Sequence, residues 1–173
     1  GASAPEDRPE DILARLDGLD EARRKAETDL QHLRKDEAAL LPWGDFDPAR
    51  VSGLAEVGFV MNFFTCPERL FRTEWVDEYN AMDVAHEKGK VFFVTVTPVG
   101  QEVAPEAERL NLPPVPLHEL QAEIRKKEQE MAGTGEEVKR MAPSALSVLR
   151  EYEGALRTSI AFDRVVLGTA HAV

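Results

Sequence analysis

Lys88-Gly89-Lys90-Val91-Phe92-Phe93-Val94-Thr95-Val96-Thr97-Pro98 is a run of β-branched and aromatic residues that follows a Lys-Gly pair and closes on a proline. Such residues fit a pleated, half-buried surface, and a proline cannot donate to a ladder, so the run predicts a strand from Lys90 to Thr97. Met82 to His86 precedes it with a second strand-like stretch, and Lys88-Gly89 between the two makes a β-hairpin with a two-residue turn. Further upstream, Phe59-Val60-Met61-Asn62-Phe63-Phe64 is nearly continuous in apolar character, as a strand covered on both faces should be, and Cys66-Pro67 ends it. A weak fourth strand falls near Glu108 to Leu112, before Pro113-Pro114 forces an extended link. These stretches predict a small mixed sheet of three to four strands.

Short helices complete this head, residues 42–113, which holds both tryptophans and most of the phenylalanines. Asp47-Pro48 starts a helix that runs to about Glu56, with Val51 and Leu54/Ala55 on its inner face and Gly58 after its end. Glu68 to Tyr79 reads as one or two short helices or a structured loop.

Outside the head the pattern turns to a seven-residue repeat. From Pro9, with Asp7 as a candidate cap, apolar residues recur at Ile12, Leu16, Leu19, Ala26, Leu30, Leu33 and Leu40, missing only at Arg23 and Glu37. Pro42 ends this first arm helix, residues 9–41. Roughly 30 residues at 1.5 Å each make a rod of about 45 Å. The repeat resumes at Leu117, Leu120, Ile124 and Met131, then Val138, Met141, Ala145, Val148, Tyr152, Ala155 and Phe162. Gly133-Thr134-Gly135 and Pro143 cost helix propensity, so this second arm, residues 114–166, is expected to break near 133–135. The fold class is therefore α+β, a sheet-bearing head flanked by two long helices that form an antiparallel coiled-coil arm. Residues 1–8 read as a tag or frayed end, and 167–173 as the truncated start of a following segment.

Charge excludes several functions. The 173 residues are 43% hydrophobic and 31% charged, with a formal charge of −11. An acidic surface repels nucleic-acid phosphates and anionic lipid, so neither is an expected partner. The single cysteine, Cys66, cannot make an intramolecular disulfide. Neither an apolar run of membrane-spanning length nor a secretory pattern occurs, which predicts a soluble chain that does not itself insert into a membrane.

Candidate chemistry is thin. Cys66 to Arg72 matches C-x5-R, the phosphate loop of cysteine phosphatases, but Pro67 removes a donor, Glu68 adds a negative charge, and no glycine lets the backbone close round a dianion. Gly133-Thr134-Gly135 lacks the lysine of a nucleotide loop and follows no strand. The histidines, His32, His86, His118 and His171, have no metal-ligand spacing. The expectation is no catalytic residue, no metal and no cofactor.

Leu41-Pro42-Trp43-Gly44-Asp45-Phe46-Asp47, the helix to Gly58, the strand into Phe63-Phe64-Thr65-Cys66, Tyr79-Asn80 and Val91-Phe92-Phe93-Val94-Thr95-Val96-Thr97-Pro98 resemble the cytoplasmic N-terminal half of subunit I, or subunit a, of V/A-type rotary ATPases. The resemblance covers roughly Glu10 to Val173 and is most specific from Leu41 to Gly100. It implies a non-catalytic stator component of a proton- or sodium-coupled complex, on the cytoplasmic side of the membrane. It also implies docking on peripheral-stalk subunits of E/G type and continuity with the subunit's own membrane half. Aromatic side chains anchor interfaces, so Trp75, Tyr79 and Trp43, in loop-like segments, are the candidate contact residues, with Trp43 the most core-like. An unrelated coiled-coil scaffold, or a phosphatase on Cys66, are the alternative readings.

Overall fold

The computed structural model describes residues 8–151, without the side chains of 148, 149 and 151. Asp7, Tyr152, Ala155, Phe162 and segment 167–173 lie outside the described residues, as does the Val148 side chain. The elements in chain order are α1 (Pro9–Leu40), α2 (Pro48–Gly53), β1 (Phe59–Pro67), α3 (Glu74–Tyr79), β2 (Met82–Glu87), β3 (Lys90–Pro98), β4 (Glu108–Leu110) and α4 (Leu117–Glu151). Short 3-10 turns at Leu41–Trp43, Leu54–Val57 and Glu68–Leu70 link them. Among the described residues no helix is long and apolar enough to cross a membrane.

The chain divides into two compact units, Asp29–Lys127 and the two flanking stretches together. The first contains the whole sheet, in the order β2-β3-β1-β4. Every pairing is antiparallel, where the sequence predicts a mixed sheet, because β2 and β3 share a hairpin and β1 receives its neighbours on opposite edges, both running against it. The hairpin turn has Lys88 at φ 51° and Gly89 at φ 75°. Two consecutive positive φ values twist the turn with the strands, and glycine takes the second without steric cost. The next feature the sequence anticipates is α2, where the Asp47 carboxylate accepts from the Ala49 N–H at 2.9 Å and Gly58 stops the helical turns at φ 85°.

Both faces of the sheet are covered. On one, Phe93 stacks between Phe64 (5.4 Å) and Trp75 (5.5 Å), and Phe71 meets it edge-on. Cys66, Tyr79, Ala81, Val91 and Val103 close this core. Arg109 on β4 holds the covering loop down, donating to the Val103 carbonyl at 2.8 Å with its guanidinium 5.3 Å from the Phe64 ring. On the other face Trp43 meets Phe63 and Phe92 edge-on, and Phe46 stacks on Phe63 at 5.5 Å. Phe46 also leans on a second cluster of Leu40, Leu117 and Leu120, which seals the ends of α1 and α4. There α1 and α4 run antiparallel, with Asp29 3.7 Å from Lys127 and Leu40 grouped with Leu117.

In the other unit, α1 up to Thr28 and α4 from Glu128 are also antiparallel, tied by Arg15 and Glu137 at 2.9 Å. Ile12, Ala26 and Ala145 are buried, as the repeat predicts. Arg23, at a missed seam position, turns outward and pairs with Asp20 and Glu27 on its own helix. Val138 is exposed instead of seated in the seam, because a 3.6-residue helix drifts against a strict seven-residue repeat.

The expected break at Gly133-Thr134-Gly135 is absent: α4 runs unbroken through it and through Pro143. Thr134 folds its hydroxyl back on the Glu130 carbonyl at 3.0 Å, so the stretch keeps its polar group satisfied inside the helix. Added Cβ atoms at Gly133 and Gly135 would meet nothing within 4 Å. The double substitution Gly133→Ala/Gly135→Ala should therefore stabilise α4 by about 1–2 kcal/mol, the usual helical cost of two glycines. A chemical denaturation curve followed by circular dichroism checks it, and an unchanged or lowered midpoint would contradict a continuous helix here.

Candidate functional site

The three aromatic residues singled out as contact anchors are all interior. Trp75 is only 4% exposed, stacked on Phe93 and set edge-on to Phe71; Tyr79 and Trp43 are buried as well. The reason for the first two is local: they stand four residues apart on α3 and so share the one face that looks at the sheet. Asn80 follows in the left-handed conformation at φ 52°, ends the helix, and donates its side-chain amide to the Val96 carbonyl at 2.9 Å. None of the three offers a surface to a partner.

The exposed apolar side chains of the lobe lie elsewhere. At the end of the sheet away from the hairpin turn, Phe59 pairs with Pro98, and the Val99 N–H donates to the Gly58 carbonyl at 2.9 Å. This register gathers Val57 (68% exposed), Phe59 (41%) and Val99 (58%) at one end of the sheet. Farther along β1 a groove of about 300 Å³ is lined by Val51, Met61, Phe63, Leu110 and Leu112 together with Asn62, Arg109 and Asn111. β4 pairs only with Phe63, Phe64 and Thr65, so among the described residues no strand lies on that edge beside the neighbouring length of β1, Phe59 to Asn62. Apolar side chains beside an unpaired strand edge form a contact surface, with no convergent set of titratable groups. In sequence, the run from Val57 to Met61 shows its apolar character, but its position at the thin end of the sheet depends on how short β4 is.

Cys66 sits within β1 opposite Val91, 4% exposed. Burial pushes its thiol up from 9.0, away from the thiolate a nucleophile needs. Arg72, the other end of the C-x5-R match, lies 3.5 Å from Glu106 in an exposed ion pair. Among the described residues no group of three or more His, Cys, Asp or Glu side chains is placed to hold a metal.

Two histidine contacts escaped the sequence reading. His118, in the first turn of α4, brings its Nδ1 within 3.0 Å of both Asp45 oxygens while its backbone N–H donates to Asp45 Oδ1 at 3.2 Å. These contacts hold the Asp45 carboxyl below its usual 3.8, the side-chain hydrogen bond first among them. His86 stands between two carboxylates, its Nδ1 2.9 Å from Glu68 Oε1 and its Nε2 2.9 Å from Asp83 Oδ2. An ideal strand would put Asp83 and His86 on opposite faces. A register shift between Asp83 and Ala85 restores them to one face, and nothing in the sequence marks that bulge. Compared with known proteins, this chain matches no family model, no curated protein and no solved structure.

Proposed function

We propose that this chain is a cytoplasmic lobe with its helical arm from the stator of a V/A-type rotary ATPase, a non-catalytic part of subunit I that docks peripheral-stalk subunits and resists torque. The observation that carries the reading is an α+β lobe entered from one long charged helix and left through another, the two meeting at Leu40 and Leu117. The likeness of Leu41 to Gly100 to the family's lobe supports it, and so does a surface of exposed apolar side chains suited to contact. On this reading the membrane half of the subunit lies elsewhere in the longer protein, and the lobe works on the cytoplasmic side. The docking anchors are Val57, Phe59 and Val99 in place of the buried tryptophans. With a formal charge of −11, the chain meets a basic stalk face faster at low salt than at high.

The test is binding of a purified E/G-type stalk heterodimer to the full chain and to Val57→Asp/Phe59→Asp. The wild-type chain should bind, and the variant should lose about tenfold or more, the effect of removing a central apolar anchor. Absence of any wild-type binding would sink the stator reading. Equal binding by the variant would leave the stator reading standing and move the docking surface off this patch.

A further inference from the structure

We propose that His86 is a protonation-dependent clasp that fastens the edge strand β2 to the exit of β1 and loosens as the pH rises. The inference is independent of the stator reading and rests on the geometry of one cluster. β2 lies at the edge of the sheet, bonded among the described residues to β3 alone, interrupted by its bulge, and carrying exposed Met82 and Val84. His86 reaches from it to Glu68, in the 3-10 turn that follows β1, and across the bulge to Asp83. Glu68 is itself fastened to the hairpin, its N–H donating to the Gly89 carbonyl at 2.9 Å. The clasp thus ties three points: the turn after β1, the bulged half of β2, and the hairpin tip.

Both ring nitrogens face carboxylate oxygens at 2.9 Å. A carboxylate only accepts, so both contacts are hydrogen bonds only when the imidazole carries two N–H groups, the cationic form. Losing one proton turns one nitrogen into a lone pair aimed at a negative oxygen, and that arm of the clasp changes from attraction to repulsion. The charged groups around the ring agree. Asp83 and Glu68 face it; the register sets Val91 opposite His86 on β3, and Lys90 opposite Glu87, one position along and so on the other face of the hairpin.

The hydrogen bond to Asp83, then that to Glu68, raises the His86 imidazole above its usual 6.5, while His86 holds Asp83 below its usual 3.8. A raised imidazole contributes stability that is full below 6.5 and lost as the pH climbs through its folded value. The depressed Asp83 contributes stability that is full above 3.8 and lost in acid below its folded value. The clasp is whole between those two limits. Because all three side chains are about half exposed, salt weakens it.

The experiment is amide hydrogen exchange on the full chain by nuclear magnetic resonance, with rates normalised to intrinsic exchange, while the His86 ring signals locate its titration midpoint. Across that midpoint the β2 amides should lose roughly two- to fivefold in protection, the range open to an exposed charge pair, while the β1–β3 ladder stays unchanged. In Glu68→Gln/Asp83→Asn the midpoint should fall and the step vanish; the single, exposed Glu68→Gln should show half of each effect if the double variant folds poorly. A midpoint that stays put in the single variant, or wild-type protection in β2 that shows no step, overturns the proposal.

Discussion

Phe93→Ala should lower the unfolding free energy of the lobe by about 3–5 kcal/mol, the loss usual for a large aromatic truncated in a packed core. Phe93 is 0% exposed and touches three aromatic rings: Phe64 and Trp75 stack on it, and Phe71 meets it edge-on. None of these rings can close the gap without giving up a second contact, because Phe64 is fixed on the neighbouring strand and Trp75 on α3. Both tryptophans of the chain lie in the lobe, so their fluorescence during a urea titration reports this unit alone. A loss under about 1 kcal/mol would mean that the ring does not occupy the centre of this core.

The second large effect belongs to Leu40→Asp, expected to cost about 4 kcal/mol or more by placing an unpaired carboxylate among apolar side chains. Leu40 is 1% exposed where α1 meets α4, with Leu33, Phe46, Leu112 and Val115 packed around the cluster it forms with Leu117 and Leu120. Its neighbour supplies the control. Leu41 is 52% exposed, so Leu41→Asp should cost well under 1 kcal/mol. If the two substitutions shift the same denaturation curve equally, the helix end is not seated as described.

These two residues also mark where the sequence is readable. Leu40 belongs to a repeat sustained over about eight turns of helix, and Phe93 to a strand preceded by a turn that only a few residue pairs can make; long periods and special φ values leave strong marks. The 3-10 pieces and α3 are too short to carry a period, which is why Trp75 and Tyr79 read as loop residues although their spacing of four places them on one inward face. Gly133 and Gly135 mislead in the opposite direction. Their cost of about 1 kcal/mol each is real, yet it is smaller than what a long helix gains by keeping its buried face in register with a partner. The His86 cluster was illegible for a third reason: a bulge changes which residues share a face, and bulges follow from the fit of two strands and leave no residue signature in one of them.

The contact between Asp45 and His118 joins residues 73 apart in sequence, and it lies where α1 ends and α4 begins. An acid from the incoming chain thereby occupies the positive end of the outgoing helix, a place a local cap ordinarily takes. The lobe is thus an insertion in a helical hairpin, and its entry and exit are stitched to each other. Until the lobe folds, the two helices are connected by a long loose loop whose closure opposes their meeting. Once it folds, that loop has already been closed from within, and the first turn of α4 receives its cap in the same event. A folded lobe therefore carries most of the entropic cost of bringing Leu40 to Leu117 before either helix end contributes a contact.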